Sequence, residues 1–160
     1  MGVSGCGKTS VGAALALSLG GIYIDGDDLH PAANVAKMSR GQPLTDDDRW
    51  PWLSVVGERL RTASDATLIG CSALKRSYRD HITRVAQAPV LFLHLDGSPE
   101  LIAERMAARS GHFMPPALLQ SQFEALEPPA VDEFAVTISI GQPLERIVRE
   151  ITTLLEGDKS

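Results

Sequence analysis

Glycines, a lysine and a threonine near the start of the sequence have the spacing of a loop that binds a nucleoside triphosphate. The run Gly2-Val3-Ser4-Gly5-Cys6-Gly7-Lys8-Thr9 matches the pattern G-x-x-x-x-G-K-[ST]. In such a loop the backbone amides surround phosphate oxygens, the lysine neutralises the β- and γ-phosphates, and the threonine hydroxyl binds Mg²⁺. We therefore expect ATP and Mg²⁺ as cofactors. The residues expected to contact the nucleotide here are Gly2, Ser4, Gly5, Cys6, Gly7, Lys8, Thr9 and Ser10, with Lys8 also catalytic.

An acidic run, Asp25-Gly26-Asp27-Asp28-Leu29-His30, directly follows a predicted buried strand. A carboxylate within hydrogen-bond distance of an acceptor hydroxyl can orient it and accept its proton during phosphoryl transfer. We assign that catalytic role to Asp27, because alternation along an extended segment points Asp25 and Asp27 the same way. Asp25 is then the candidate metal ligand beside Thr9. The alternative is an acidic turn that caps the next helix.

Basic residues follow the third predicted strand in the run from Cys71 to Arg79. Lys75 and Arg79 are candidates to bind an anionic part of the acceptor, because ammonium and guanidinium groups form charge-assisted hydrogen bonds with carboxylates. The alternative is that both side chains belong to a solvated helix face.

Arg105 and Arg109 lie four residues apart and so share one face of a predicted helix, with Gly111-His112-Phe113 just beyond it. A broken helix of this composition is typical of a closing lid, which we place at about 105–125. Guanidinium groups brought over the phosphates would neutralise charge on the transferring group while the lid excludes water. The alternative is an exposed basic helix face.

Strands and helices alternate along the chain, which predicts a parallel sheet covered by helices on both sides. Residues 1–160 form one domain in this interpretation. A phosphate loop normally follows a buried strand, yet only Met1 precedes Gly2, so we expect the natural chain to carry several more apolar residues upstream. The predicted strands are 22–25, 67–71, 89–95 and 135–140, and the predicted helices are 8–19, 32–40, 45–63, 74–87, 98–109, 116–125 and 143–155.

Composition narrows the class of protein. Of the 160 residues, 44% are hydrophobic and 22% are charged, as in globular proteins, and no apolar stretch reaches the length of a membrane span. A net charge of −5 argues against a nucleic-acid partner, since such proteins usually present a broad basic face. Cys6 and Cys71 are too few for a disulfide framework, and no signal sequence is visible. We expect no membrane partner and a cytoplasmic location.

Three runs of the sequence are distinctive: D-G-D-x-L-H-P at 25–31, D-D-D-R-x-P-W-L at 46–53 and C-S-A-L-K at 71–75. They resemble the gluconate kinases of the thermoresistant type, within the shikimate-kinase and nucleoside-monophosphate-kinase group of P-loop proteins. Further matching segments are Gly2 to Thr9, Asn34, Lys37-Met38, Gly41 to Leu44, Tyr78 to Asp80, Gly111 to Phe113, Gln122 to Glu124 and Gln142 to Glu145.

The resemblance implies ATP-dependent phosphorylation of D-gluconate at its C6 hydroxyl with Mg²⁺, by an enzyme of gluconate utilisation that is usually a homodimer. It also implies the α/β fold of P-loop kinases, three layers α/β/α around a parallel sheet of order 2-3-1-4-5, with a small helical lid. A kinase of another hydroxy acid, such as shikimate, and a nucleotide-dependent regulatory module are the alternatives.

The resemblance also implies roles for single residues. Lys8 and Thr9 would bind phosphate and metal, and Asp27 would face the acceptor hydroxyl. The residues that would approach ATP from later in the chain are Arg105, Arg109, Gln142 and Pro143, the last two near adenine. The residues that would contact the acceptor are Asp27, His30, Arg49, Lys75, Arg79 and His112. Such a set suits a sugar acid, whose carboxylate needs a cation and whose alcohols need polar partners.

Overall fold

The computed structural model describes residues 1–108 and 116–157, which contain four strands and seven α-helices. The strands are β1 (Ile22–Asp25), β2 (Thr67–Gly70), β3 (Phe92–Asp96) and β4 (Ala135–Ser139). The helices are α1 (Lys8–Leu19), α2 (Ala32–Ser39), α3 (Asp46–Arg61), α4 (Arg76–Ala86), α5 (Pro99–Ala107), α6 (Pro116–Ala125) and α7 (Leu144–Gly157). A single 3-10 turn, Gly26–Leu29, follows β1. None of the described helices is long and apolar enough to cross a membrane.

The strands form two parallel pairs. β1 lies beside β2 with Asp25 opposite Gly70, and β3 lies beside β4 with Asp96 opposite Ser139. The parallel arrangement predicted from the sequence is confirmed. The expected order 2-3-1-4-5 counts the strand expected upstream as strand 1, so β1 to β4 are its strands 2 to 5. The observed pairs are then its neighbours 2-3 and 4-5, and the complete order stays a prediction.

The first residues of the chain lie between the two pairs of strands. The Met1 amino group donates to the carbonyl of Leu93, the Leu95 amide donates to the Met1 carbonyl at 3.0 Å, and the Gly2 amide donates to the Ser72 carbonyl at 3.1 Å. Burial lowers the pKa of the Met1 amino group to about 6. These contacts attach the phosphate loop to both strand pairs. The expectation of further apolar residues upstream stays a prediction.

Helices cover the strands on both sides, because neighbouring residues of a strand point to opposite faces. In β2, Leu68 packs against a cluster built from α1 and α7, whereas Ile69 packs against a cluster built from α3 and α4. The first cluster contains Val11, Leu15, Ile138, Ile147 and Ile151, and the second contains Trp52, Leu53, Val56, Tyr78 and Ile82. The predicted layers of helix, strand and helix are therefore present.

Local signals fix the beginning of the helix that carries much of the site. Thr45 caps α3 in a capping box, in which its hydroxyl accepts from the Asp48 amide and the Asp48 carboxylate accepts from the Thr45 amide at 2.7 Å. Asp46 and Asp47 complete an acidic first turn that suits the positive end of the helix. This cap places Asp46 and Arg49 at the end of α3 that adjoins the acidic turn.

Candidate active site

The phosphate loop leads directly into α1. Gly7 precedes the helix with a φ of 100°, a conformation that favours glycine. Gly5 is also left-handed, at a φ of 80°, and a Cβ atom there would lie 2.6 Å from the Cγ of Met106 in α5. Lys8 Nζ donates to two carbonyl oxygens of the loop, each at 3.0 Å. The ammonium is thus held against the loop beside the first turn of α1, whose amides attract anions.

Two amides of the loop already have hydrogen-bond partners, one outside the loop and one within it. The Gly2 amide bonds to Ser72, as described above, and the Cys6 amide donates to the Val3 carbonyl at 3.3 Å. Cys6 is fully buried, so its thiol belongs to the core. Thr9 and Ser10 stand exposed in the first turn of α1, as a contact with nucleotide or metal requires.

A glutamine of α6, which is not among the residues predicted from the sequence to form the site, contacts the loop. Gln122 Oε1 accepts from the Ser4 amide at 2.7 Å, and Gln122 Nε2 donates to the Ser4 hydroxyl at 3.1 Å. Only its position in a matching run, Gln122 to Glu124, drew attention to it in the sequence. A contact across 118 residues leaves no periodic signal that could reveal it.

The acidic turn lies at the carboxyl end of β1, next to the segment that follows β2. A Cβ atom on Gly26 would lie 2.5 Å from the Gly70 carbonyl oxygen, which shows how closely the two segments approach. The Asp25 carboxylate accepts from the Asp27 amide at 3.0 Å and so caps the 3-10 turn. The capping interpretation therefore holds for Asp25, while the Asp27 side chain is exposed.

His30 and Trp52 support the acidic turn from the side of α3. Their rings stack with centroids 4.2 Å apart, and Trp52 Nε1 donates to the Gly26 carbonyl at 2.8 Å. Asn34 lies 3.3 Å from His30 Nδ1 and donates to the Asp48 carbonyl at 2.8 Å. Burial lowers the pKa of His30, so its ring is neutral at pH 7. His30 therefore positions the turn as well as bordering the expected acceptor site.

Two predicted acceptor contacts meet around a carboxylate that belongs to the protein. Lys75 Nζ lies 2.9 and 3.2 Å from the two oxygens of Asp46, and Arg49 Nη1 lies 3.8 Å from the same carboxylate. The Tyr78 hydroxyl donates to Asp46 as well. This hydrogen bond and the contact with Lys75 lower the pKa of Asp46, and Asp46 in turn raises the pKa of Lys75. We call Arg49, Lys75 and Tyr78 the carboxylate cluster.

Arg79 does not join the carboxylate cluster, which corrects its assignment as an acceptor contact. Its side chain is 1% exposed and pairs with Glu133 at 2.6 and 2.9 Å. A third guanidinium nitrogen donates to the carbonyls of Ala73 and Leu74 at 3.1 and 3.2 Å. Ala73 has a positive φ of 42°, so Arg79 braces a strained segment beside the site rather than contacting substrate.

Arg105 meets the loop after β4, where Gln142 and Pro143 lie. Its guanidinium donates to the Ile140 carbonyl at 2.6 Å, and Gln142 Nε2 donates to the Ser139 carbonyl at 3.0 Å. The structure thus brings Arg105 of α5 to the loop after β4 that carries the other two predicted nucleotide contacts. Arg109 and His112 lie outside the described residues, as does the part of the predicted lid at 109–115.

The oxygen atoms of Thr9 and Asp25, the two predicted metal ligands, suit Mg²⁺ rather than a metal that needs many protein ligands. In the described ranges there is no group of three or more His, Cys, Asp or Glu side chains placed to hold a metal ion. Mg²⁺ usually takes only one or two protein oxygens and completes its shell with water and substrate phosphates. Thr9 and Asp25 supply such oxygens.

Comparison with known proteins agrees with this geometry. The model of the AAA domain family matches residues 1–129. The thermosensitive gluconokinase of Escherichia coli (strain K12) is 55% identical over 140 residues, which cover 83% of this chain and 72% of that protein. A gluconokinase from Sinorhizobium meliloti 1021 has a crystal structure that is 51% identical, with a TM-score of 0.85 over 98% of this chain and 91% of that chain. The chain belongs to the gluconokinase family.

Membership of the gluconokinase family confirms the resemblance seen in the sequence and the fold of P-loop kinases. A shikimate kinase from Aquifex aeolicus superposes with a TM-score of 0.63 over 99% of this chain and 95% of that chain. Its sequence is only 18% identical, so this likeness shows the fold alone. The alternative of a shikimate-like activity receives no support from it.

Proposed function

We propose that this protein transfers the terminal phosphoryl group of ATP to the C6 hydroxyl of D-gluconate, giving 6-phosphogluconate and ADP. The observation that carries the proposal is one juxtaposition, in a chain of the gluconokinase family. The phosphate loop, the acidic turn and the carboxylate cluster adjoin one another where β1 and β2 end. A sugar acid has a carboxylate at one end and a hydroxyl at the other, so this arrangement suits both ends.

The reacting end of gluconate belongs at Asp27. The C6 oxygen forms a bond to the γ-phosphorus as the bond from that phosphorus to the bridging β,γ-oxygen breaks, and Asp27 accepts the proton of the hydroxyl. Lys8 and the first turn of α1 neutralise the phosphates during this step, with Arg105 approaching from α5. Thr9 and Asp25 would hold Mg²⁺, which supplies further positive charge at the β- and γ-phosphates.

The carboxylate of gluconate belongs at Lys75 and Arg49. These cations and the Tyr78 hydroxyl already surround a carboxylate, that of Asp46, and this supports a preference for an anionic ligand. Asp46 is about half exposed, with 45% of its side chain accessible, so a second anion can reach the cluster from solvent. A neutral polyol of the same length would gain nothing from these cations.

Product analysis tests the proposal directly. With ATP and Mg²⁺ we expect 6-phosphogluconate by ³¹P NMR from gluconate, and far slower turnover of shikimate and of sorbitol, which has the same carbon chain without a carboxylate. Absence of turnover with gluconate would refute the activity. Equal kcat/KM for gluconate and sorbitol would refute the role of the carboxylate cluster.

We also propose a homodimer, which rests on the family resemblance described above. Light scattering on the eluted peak of a size-exclusion column gives the mass directly. A mass of one chain at micromolar concentration would contradict it.

A further inference from the structure

We infer that Gln122 positions the phosphate loop for its nucleotide, and that α6 thereby controls the affinity for ATP. The observation is the paired contact of one amide side chain with one loop residue. Gln122 accepts from the Ser4 backbone amide and donates to the Ser4 hydroxyl, at 2.7 and 3.1 Å. The inference rests on the proposed function only in taking a nucleotide as the ligand of the loop.

The contact occurs inside the turn that the Cys6 amide closes by donating to the Val3 carbonyl at 3.3 Å, a hydrogen bond that involves neither the amide nor the hydroxyl of Ser4. Ser4 lies between Val3, whose carbonyl accepts from Lys8, and Gly5, which has the flexible left-handed conformation of glycine. Met106 of α5 packs against Gly5, but an apolar contact does not fix the direction of a peptide group. Hydrogen bonds to the amide and to the hydroxyl of Ser4 fix that direction, because their geometry is directional.

Fixing Ser4 matters because the following amides bind the phosphates. Donors that are already oriented stabilise a developing charge without reorganisation, and a ligand that finds the site ordered binds more tightly. If Gln122 is lost, the loop must be ordered by the nucleotide itself, and affinity falls. The carboxylate cluster lies on α3 and at the start of α4, so binding of gluconate is not affected by this change.

The experiment compares two glutamines of the same helix. Gln122→Met keeps the length and volume of the side chain and removes both hydrogen bonds to Ser4. Gln120→Met is the matched control, because Gln120 is exposed and bonds only to Glu124 among the described residues. ADP binding is measured by calorimetry on each purified protein without gluconate, and the melting temperature of the nucleotide-free protein reports folding.

For Gln122→Met we expect the Kd for ADP and the KM for ATP to rise about tenfold, as the loss of two neutral hydrogen bonds predicts. The KM for gluconate should change less than about twofold, and Gln120→Met should match the parent protein. Nucleotide affinity equal to that of Gln120→Met, or an equal rise in both KM values, would overturn the inference. Because ADP binding needs no acceptor, this result is independent of whether gluconate is the substrate.

Ser4→Ala provides a second test that does not depend on the fold of the first variant. It removes only the hydroxyl, so we expect a smaller loss of ADP affinity than in Gln122→Met. In the double variant the loss should equal that of Gln122→Met alone, because the hydroxyl then has no partner to lose. Additive losses in the double variant would contradict the coupling.

Discussion

Arg79 and Glu133 form a buried ion pair that links the first turn of α4 to the segment before β4. The side chains are 1% and 7% exposed, and two guanidinium nitrogens meet the two carboxylate oxygens at 2.6 and 2.9 Å. The hydrogen bonds from Arg79 lower the pKa of Glu133, so the Glu133 carboxylate stays charged at neutral pH. Such an ion pair contributes little to the free energy of unfolding when compared with a well-packed apolar pair. Removal of one partner is nevertheless costly, because it leaves a buried charge without a partner.

We therefore expect Arg79→Ala to lower the free energy of unfolding by about 3–5 kcal/mol, as loss of one partner of a buried pair does. Arg76→Ala is the control, because Arg76 pairs with Asp132 at 2.8 Å on the surface, where such pairs contribute about 0–1 kcal/mol. Urea unfolding followed by circular dichroism measures both. Similar losses in the two variants would show that the pair at Arg79 is not a buried one in solution.

Asp27 and its neighbour Asp28 allow a matched comparison of two variants in the acidic turn. Asp27→Asn removes the proposed proton acceptor, so we expect kcat to fall by about two to four orders of magnitude, the usual contribution of general base catalysis. The Kd for ATP should stay within about twofold, because the change affects the acceptor hydroxyl rather than the nucleotide. Asp28→Asn should retain most of the activity. Near-normal kcat in Asp27→Asn would remove Asp27 from the mechanism.

Lys8 contacts the loop rather than the core, so its removal should affect catalysis more than folding. We expect Lys8→Ala to lower kcat by about 10²–10³, comparable to the loss of one preorganised donor to a developing charge. Its melting temperature should stay close to that of the parent protein, because the lost hydrogen bonds are part-buried and water can take the place of the ammonium. Single-turnover kinetics at saturating ATP separates this effect from weaker binding.

Local signals in the sequence predicted the elements well. The glycines after Leu19 end α1, the capping box at Thr45 begins α3, and Ser98 with Pro99 begins α5. The phosphate loop could be predicted because its motif fixes residue types at fixed spacing. The predicted strand 89–95 begins three residues before β3 begins and ends one residue before β3 ends, since the ends of strands depend on pairing partners that periodicity does not reveal.

The site was predicted less completely, because its specificity depends on contacts between distant segments. Arg79 and Lys75 look alike in the sequence, yet Glu133 pairs with Arg79 across 54 residues and Asp46 contacts Lys75 across 29. Only the fold decides which of the two cations faces the site. Gln122 was missed for the same reason, since nothing in its own helix points to Ser4.

Lys75 and Arg49 should affect the acceptor rather than the nucleotide. We expect Lys75→Met to raise the KM for gluconate about tenfold or more, as loss of a charge-assisted hydrogen bond does, with little change in the KM for ATP. The ratio of kcat/KM for gluconate to kcat/KM for sorbitol should fall by the same factor, because the neutral polyol makes no ion pair with Lys75. Initial rates with both substrates measure this. An equal loss with sorbitol would show that Lys75 only supports the fold.

The histidines make stability depend on pH. Burial is the main cause that lowers the pKa values of His30, His81 and His94 below the ordinary 6.5 in the folded protein. The unfolded chain then binds more protons at these histidines than the folded chain does just below pH 6.5, so the contribution of the histidines to stability is complete above that pH and falls as the pH drops through their folded pKa values. The Met1 amino group, with its pKa of about 6, adds a loss that begins near pH 8. The carboxylates with lowered pKa values, such as Asp46, change the free energy of unfolding only below about pH 4.

We therefore expect urea unfolding at pH 7.5, 6.5 and 5.5 to show that the free energy of unfolding falls between pH 6.5 and pH 5.5. His94 lies in β3 with 3% exposure, and its nearest polar partner is the Thr137 hydroxyl at 3.4 Å. His94→Leu removes the buried proton acceptor, so the slope between pH 6.5 and 5.5 should become shallower. The slope should be unchanged in Gln120→Met, which leaves every histidine in place. A parent protein equally stable at pH 7.5 and 5.5 would contradict the lowered pKa values.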